Sequence, residues 1–240
     1  MADPIHQFEI KELIPLELFE TNISFTNSSL FMSLSIISVI LLLLVSIKNQ
    51  SLIPSRLQSI SEIFYEFIAN MISDNIGEKG HKFFPLIFTL FAFILFGNLL
   101  GMLPYTFTFT SHIIVTFVLA IFIFLFVTLL GIFIHGFKFF SLFVPKGVPM
   151  LMLPLMVPIE IISYLSRPIS LSVRLFANMM AGHTMLKIFA GFIVPLGIFG
   201  VAPLLVDVAL TALEVLIAFL QAYVFTILTC IYLNEAINLH

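Results

Sequence analysis

The segment RLFANMMAGH, which begins at Arg174 and ends at His183, sets a permanent cation and an imidazole among residues that otherwise suit hydrocarbon. The guanidinium group stays protonated in proteins, whereas imidazole exchanges its proton near neutral pH. Further along the chain, Asp207, Glu214 and Gln221 recur every seven residues, so on one helix they lie within about 40° of one another. These residue types can stabilise a negative charge and carry protons.

Arg174 lies on a polar stripe of the helix that is predicted around it. At about 100° per residue, five other polar residues fall within about 40° of Arg174: Glu160, Ser163, Arg167, Ser170 and Asn178. A charged side chain at bilayer depth costs from about 2.5 to more than 10 kcal/mol, so such groups usually face protein or a water-filled path. The stripe therefore faces an ion route or a partner; the alternative is a set of polar residues that hold helices together.

His183 raises a geometric difficulty. It follows Arg174 by nine residues, which on an ideal helix places it about 180° away and about 13 Å further along. If the chain reverses near Gly197 to Gly200, antiparallel packing pairs Arg174 with Gln221 and His183 with Glu214. Yet Arg174 and His183 point apart, whereas Glu214 and Gln221 do not. Either the helices are tilted and cross, or one of the two pairings is wrong.

The composition indicates that a membrane surrounds these residues. Of the 240 residues, 60% are hydrophobic and 10% are charged, whereas soluble domains carry roughly 25% charged residues. The net charge of -3 and the scattered Lys and Arg residues argue against nucleic-acid binding. With Cys230 as the single cysteine, the chain forms no internal disulfide and no multi-cysteine metal site. No cofactor and no metal are expected.

Apolar runs of about 20 residues predict an all-α polytopic membrane protein with a single membrane domain over residues 1–240. Its predicted parts are an external N-terminal segment (1–29), a first span (30–47), an amphipathic in-plane helix (56–76), a transmembrane hairpin (83–134) and a long tilted hairpin (148–238) that carries the ion path. The amphipathic helix has three possible settings: the membrane interface, a partner helix or neighbouring loops. The last two helices exceed one perpendicular crossing, which implies tilt or interruption.

The basic residues predict the orientation. Cytoplasmic loops of membrane proteins carry an excess of Lys and Arg. Here the basic residues follow the first span and the fourth helix, whereas the connector from Tyr105 to His112 has none. The residues concerned are Lys48, Arg56, Lys79, Lys82, Lys138 and Lys146. The N-terminus is therefore predicted outside and the C-terminus inside, with Lys187 as an exception.

Two long segments, SLSVRLFANMMAGH and EVLIAFLQAYVFTILTCIYLNEAINLH, resemble the family of F-type ATP synthase subunit a, the membrane stator beside the rotating c-ring. SFTNSSLFM, PSRLQS and FGNLLGMLPYTFTFTSH extend the resemblance over nearly the whole chain. RLFANMMAGH followed by E-x6-Q is highly specific. Many bacterial relatives carry Glu at the position of His183 and His at that of Glu214, and the exchange here resembles the mitochondrial and alphaproteobacterial branch.

The resemblance implies roles for individual residues. Arg174 matches the essential stator arginine that faces the rotor carboxylate, and Asn178 and Gln221 match polar neighbours near that arginine. His183 and Glu214 match the outer half-channel. Glu160 matches an acidic position associated with the inner half-channel, and Ser170 a small polar position nearby. Gly101 stands where some bacterial members carry an acid, so no proton-handling role is expected there.

The implied function is proton translocation coupled to rotation and ATP synthesis, with no catalysis by this chain alone. The phosphate-binding pattern G-x-x-x-x-G-K-[ST] is absent from the sequence, which assigns ATP chemistry to other subunits. Implied partners are the c-ring, peripheral-stalk subunit b, other Fo subunits and lipid, in a mitochondrial inner membrane or a bacterial plasma membrane.

Two other functions fit the composition less well. A secondary transporter would show internal repeats around a midplane site, and the sequence shows no such repeat. A structural anchor would need neither a buried Arg174 nor the exchange of His183 and Glu214. His112 and His135 are expected at the ends of spans, in interfacial positions without a role in the path. Asp207 either lines the outer entrance or serves as a cap or turn residue at the start of the sixth helix.

Overall fold

A computed structural model describes residues 8–15, 17–18, 21–22, 24–48, 54–103, 106–144 and 152–238. Tyr105 and Lys146 lie outside them, as do the beginnings of the predicted segments 1–29 and 148–238. The described residues form six α-helices, which confirms the all-α class. They are α1 (Asn27–Lys48), α2 (Arg56–Asn75), α3 (Phe84–Gly101), α4 (Ile113–His135), α5 (Leu153–Ile193) and α6 (Val201–Ile237).

Short elements join the helices. Short 3-10 helices cover Glu78–Phe83, Phe109–Ser111, Gly136–Phe143 and Gly197–Gly200. Before α1, four short strands form two antiparallel pairs, in which β1 (Glu12–Ile14) pairs with β4 (Phe25–Thr26) and β2 (Glu17–Leu18) pairs with β3 (Thr21–Asn22). These strands are a small local exception to the all-α prediction.

Four segments of the described chain are long and apolar enough to cross a membrane: Asn27–Lys48, Glu78–Gly101, Ile113–Phe139 and Gly197–Ile237. The 41-residue helix α5 is longer than a crossing requires, but its charged and polar residues lower its hydropathy. At 1.5 Å per residue it is about 60 Å long and continuous, with Pro158 and Pro168 inside it. Its packing against α4 and α6 covers one of its faces.

The amphipathic helix α2 packs against helices of the same chain. Ile68 and Ile72 are fully buried in the common core. The ring of Phe67 lies 5.6 Å from the ring of Phe91 on α3 and 5.8 Å from that of Tyr223 on α6, between ring centroids. Neighbouring helices therefore cover the C-terminal half of the apolar face of α2, whereas Leu57, Ile60 and Ile63 in its N-terminal half remain exposed.

In the connector between α3 and α4, the described residues 107–111 are buried in the helix bundle. Phe109 is 1% exposed, and a Cβ placed on Gly97 of α3 would lie 2.3 Å from its ring. A Cβ on Gly101 would lie 2.4 Å from the hydroxyl oxygen of Thr108. The hydroxyl of Ser111 donates to the carbonyl oxygen of Thr108 at 2.6 Å. The two glycines of α3 thus admit the connector to the interior.

Gly97→Ala tests this packing. The added methyl group overlaps a buried ring that also packs against Phe93, at 5.2 Å between centroids. Overpacking of this kind costs about 1 to 3 kcal/mol, so the Tm of the protein in detergent micelles should fall. The matched control is Gly191→Ala on α5, where nothing lies within 4 Å of the added carbon. Equal Tm values for the two variants would show that the connector does not depend on Gly97.

Candidate functional site

His183 on α5 and Glu214 on α6 face each other inside the bundle. The imidazole Nδ1 lies 3.3 Å from the carboxyl Oε1, and the side chains are 11% and 3% exposed. Their approach depends on the residue before the histidine, because a Cβ on Gly182 would lie 2.7 Å from that same oxygen. His183 and Glu214 therefore pair even though His183 and Arg174 lie on opposite faces of an ideal helix. The two groups can share a proton.

The second ring nitrogen of His183 contacts the connector. The hydroxyl oxygen of Thr108 lies 3.0 Å from Nε2, and the same hydroxyl donates to the carbonyl oxygen of Gly101 at 3.2 Å. Thr108 is 5% exposed. The imidazole is therefore held between α6 on one side and the connector on the other.

Several buried polar atoms around this pair have no protein hydrogen-bond partner among the described residues. They are Asn98 Oδ1, Thr110 Oγ1, His112 Nε2, Asp207 Oδ1 and both carboxyl oxygens of Glu214. Asn98 is fully buried and donates through its other amide atom to the carbonyl oxygen of Ala218, at 3.2 Å. Buried polar atoms are costly unless water or protein satisfies them. Water or a group from a partner can therefore satisfy these atoms.

His112, which precedes α4, belongs to the same region. Its ring stacks on that of Phe107 with centroids 5.0 Å apart and planes inclined by 19°. Burial lowers the pKa of His112 below the ordinary value of 6.5. The imidazole is therefore neutral at pH 7.

The arginines of α5 have different surroundings. The guanidinium of Arg167 forms an ion pair with Glu235 near the end of α6, and it lies over the rings of Tyr164 and Tyr232 at 5.0 and 4.9 Å. Arg174, two turns further along, is exposed. In the described residues it forms no ion pair. Among the described residues, Arg167 is thus neutralised by an anion of the same chain, whereas Arg174 is not.

The remaining predicted site residues lie on α5 and α6, and no hydrogen bond described in the structure joins them to Arg174. Ser170 is exposed, and Glu160 and Asn178 are partly exposed on the same helix. Gln221 is 9% exposed on α6. No hydrogen bond joins Gln221 to Arg174 in the part of the chain that the structure describes. The predicted approach of these two residues therefore stays a prediction.

Sequence reasoning missed three residues of this region. Thr108 lies in the connector, where hydropathy showed only a polar turn. Glu235 lies in the quoted C-terminal segment but received no role. Gly182 lies inside the motif itself. In each case the missing information is a contact between distant parts of the chain; for Gly182, a small residue beside an ionisable one was the available signal.

Comparison with known proteins decides the family. The family model described as ATP synthase A chain matches residues 29–234. The chain belongs to the ATP synthase A chain family. Relatives named ATP synthase subunit a are 58% identical over 241 residues in Pelagibacter ubique, 56% over 241 residues in Rhodospirillum rubrum and 58% over 244 residues in Mesorhizobium japonicum. The matches include 99 to 100% of this chain. They also include 99%, 100% and 97% of the length of these three relatives, in the same order.

Membership in the ATP synthase A chain family confirms the resemblance inferred from RLFANMMAGH and E-x6-Q, together with the alphaproteobacterial affinity. It also confirms the expected function, which is that of the proton-translocating membrane subunit and not of a catalytic subunit. The polar groups of α5 and α6 are therefore interpreted below as parts of a proton path.

The different surroundings of Arg167 and Arg174 predict different effects on stability. Glu235→Gln leaves the half-buried Arg167 without its counter-charge and should lower the free energy of unfolding by about 1 kcal/mol, a modest value because both groups are partly exposed. Arg174→Gln should cause no comparable loss. Thermal unfolding in detergent measures both variants. A larger loss for Arg174→Gln would mean that the chain itself supplies that arginine with a partner.

Proposed function

We propose that this subunit forms two offset aqueous half-channels and that Arg174 separates them while it faces the carboxylates of a rotating c-ring. The observation that carries the proposal is the exposed, unneutralised charge of Arg174 beside the neutralised Arg167. A permanent cation on a helix that lies among apolar spans requires an anion. Since the described residues of this chain place no anion against it, the anion comes from another subunit.

The outer half-channel ends at His183 and Glu214. The unsatisfied atoms of Asn98, Thr110 and Asp207 support access of water to this pair from the connector side. The positive-inside pattern puts that side outside the membrane, at the same face as the N-terminus. Protons, and not sodium ions, fit the pair because imidazole and a carboxyl group exchange protons readily.

The inner half-channel lies toward the other end of the same stripe. Glu160 and Ser170 are on the face of α5 that carries Arg174, about 21 Å and 6 Å from it along the helix at 1.5 Å per residue. Both are at least partly accessible. A proton released by the rotor carboxyl passes along them to the inside.

The cycle moves one proton at a time. A proton from outside reaches His183 and Glu214 and passes to a rotor carboxylate, which as a neutral acid can turn into lipid. When the carboxyl group returns from lipid, it loses the proton to the inner path, and Arg174 attracts the anion that forms. Because guanidinium does not deprotonate, it neither relays the proton nor lets protons leak between the half-channels.

The energy per proton is small compared with that of ATP synthesis. One elementary charge gains about 2.3 kcal/mol per 100 mV, so several transfers drive each ATP formed on the other subunits. The partners proposed are the c-ring, peripheral-stalk subunit b and the other Fo subunits. The setting is a bacterial plasma membrane or a mitochondrial inner membrane, with the C-terminus on the cytoplasmic or matrix side.

Substitution of Arg174 in the assembled complex tests the proposal. In reconstituted vesicles, Arg174→Ala should assemble with the rotor but reduce ATP synthesis and proton pumping by about 100-fold or more, because the charge that discharges the rotor carboxyl is gone. Arg174→Lys, which keeps a charge but loses the planar guanidinium, should recover a small part of the rate. His183→Ala should slow transport by about 10- to 100-fold, since water can replace part of the imidazole's role.

The matched control is Lys138→Gln, which removes an exposed cation that the path does not use. It should leave the coupled rate unchanged. Normal coupling in Arg174→Ala with an assembled rotor would contradict the proposal.

A further inference from the structure

We infer that Thr108 is a positioning residue that fixes which nitrogen of His183 carries the transferable proton. The inference rests on the proposed proton path and adds a residue of the connector to it. The geometry that carries it is a row of hydrogen bonds from the carbonyl of Gly101 through the Thr108 hydroxyl to the His183 ring, with Glu214 on the far side of that ring.

The direction of the hydrogen bonds in this row depends on the carbonyl of Gly101 at its beginning. A carbonyl oxygen has no proton and can only accept. With the single hydroxyl proton of Thr108 directed to the Gly101 carbonyl, at 3.2 Å, the hydroxyl oxygen presents a lone pair to Nε2 at 3.0 Å. In this arrangement the ring nitrogen that faces Thr108 is the protonated one. In the neutral imidazole this leaves Nδ1 without a proton.

The proton-free Nδ1 lies 3.3 Å from Oε1 of Glu214. No hydrogen bond joins these two atoms in the structure, and a single proton shared between them would stabilise their approach. The proton is bonded either to Nδ1, giving imidazolium and carboxylate, or to Oε1, giving two neutral groups. Transfer breaks the N–H bond and forms the O–H bond, while the proton on Nε2 stays in place throughout. One proton enters the pair from the outer water and one leaves it toward the rotor.

Thr108 is placed to hold this arrangement. It is buried, its carbonyl oxygen accepts from the hydroxyl of Ser111 at 2.6 Å, and Gly101 lacks the Cβ that would collide with its side chain. Without the hydroxyl oxygen, Nε2 would lose its acceptor and the imidazole would turn to the other tautomer, with Nδ1 protonated and bonded to the Glu214 carboxylate. That state has one proton fewer than the shared-proton pair, and the next proton enters at the free Nε2 and not between Nδ1 and Oε1. Delivery to the rotor then requires the ring to exchange protons at both nitrogens, which slows each transfer.

The other ionisable groups in this region are few. Lys187 lies on α5 one turn beyond His183, Asp207 lies on α6 two turns before Glu214, and His112 precedes α4. The hydrogen bond described at Nε2 is the one with the Thr108 hydroxyl, and the charge of Lys187 also acts on the His183 ring.

The test compares Thr108→Val, which keeps the shape and removes the hydroxyl, with Thr108→Ser, which keeps the hydroxyl. Both are measured in the whole reconstituted complex, as ATP synthesis per assembled complex in H2O and in D2O. Thr108→Val should lower the rate about tenfold, the usual scale for loss of a hydrogen bond that orients a working histidine. The ratio of rates in H2O and D2O should rise, because proton transfer becomes the slow step. Thr108→Ser should remain within about twofold of the unmodified chain.

Thr116→Val is the matched control, because Thr116 is 1% exposed and its hydroxyl bonds to carbonyl oxygens at the start of α4, including that of Ile113 at 3.1 Å. It should change neither the rate nor the isotope ratio. If Thr108→Val fails to assemble, Thr108→Ala provides the same comparison without a branched side chain.

Several results would overturn the inference. If Thr108→Val matches Thr116→Val, or if Thr108→Ser is as slow as Thr108→Val, the hydroxyl has no positioning role. A rate loss without a change in the isotope ratio would assign Thr108 a packing role. His183→Ala in the same vesicles separates this failure from that of the proton path: a slow His183→Ala beside a normal Thr108→Val rejects the role of Thr108 alone, whereas a normal His183→Ala rejects the path.

Discussion

A permanent positive charge without a counter-charge among the described residues of its own chain is the constraint on which the rest of this structure depends. α5 carries two arginines in the midst of apolar helices, and Glu235 neutralises Arg167. Arg174 remains exposed. Because an unpaired cation is costly in hydrocarbon, the face of α5 that carries it requires an anion. In the proposed function a rotor carboxylate that arrives and leaves satisfies this need without a permanent ion pair that would stop rotation.

Small residues allow the polar groups to meet at the other end of the same helices. Gly182 lets Glu214 approach α5, and Gly101 makes room for Thr108. Ala218 is fully buried where Asn98 of α3 reaches the backbone of α6. These close approaches bring together three parts of the chain that are far apart in sequence. The result is a buried pair of an imidazole and a carboxyl group and, about 13 Å away along α5, an exposed cation.

Much of the fold and part of the candidate site were predictable from the sequence because they depend on the periodicity of polar and apolar residues. The helices, the polar stripe and the pairing of His183 with Glu214 follow from local spacing and from one chain reversal. The same reversal would put Arg167 opposite about residues 228 to 230, yet its partner is Glu235. Since crossing helices do not keep an antiparallel register, such partners require coordinates. The role of Thr108 was equally hidden, because a connector has no periodicity to show which way it folds.

Cysteine cross-linking in the assembled complex tests the central claim most directly. Ser170→Cys places a thiol on the face of α5 that carries Arg174, and Ile169→Cys places an exposed thiol about 100° around the helix. The native Cys230 is buried, so background reaction is low. With a cysteine introduced beside the rotor carboxylate, the account predicts a disulfide to the rotor from position 170 and none from position 169. A cross-link from position 169 alone would mean that Arg174 faces away from the rotor.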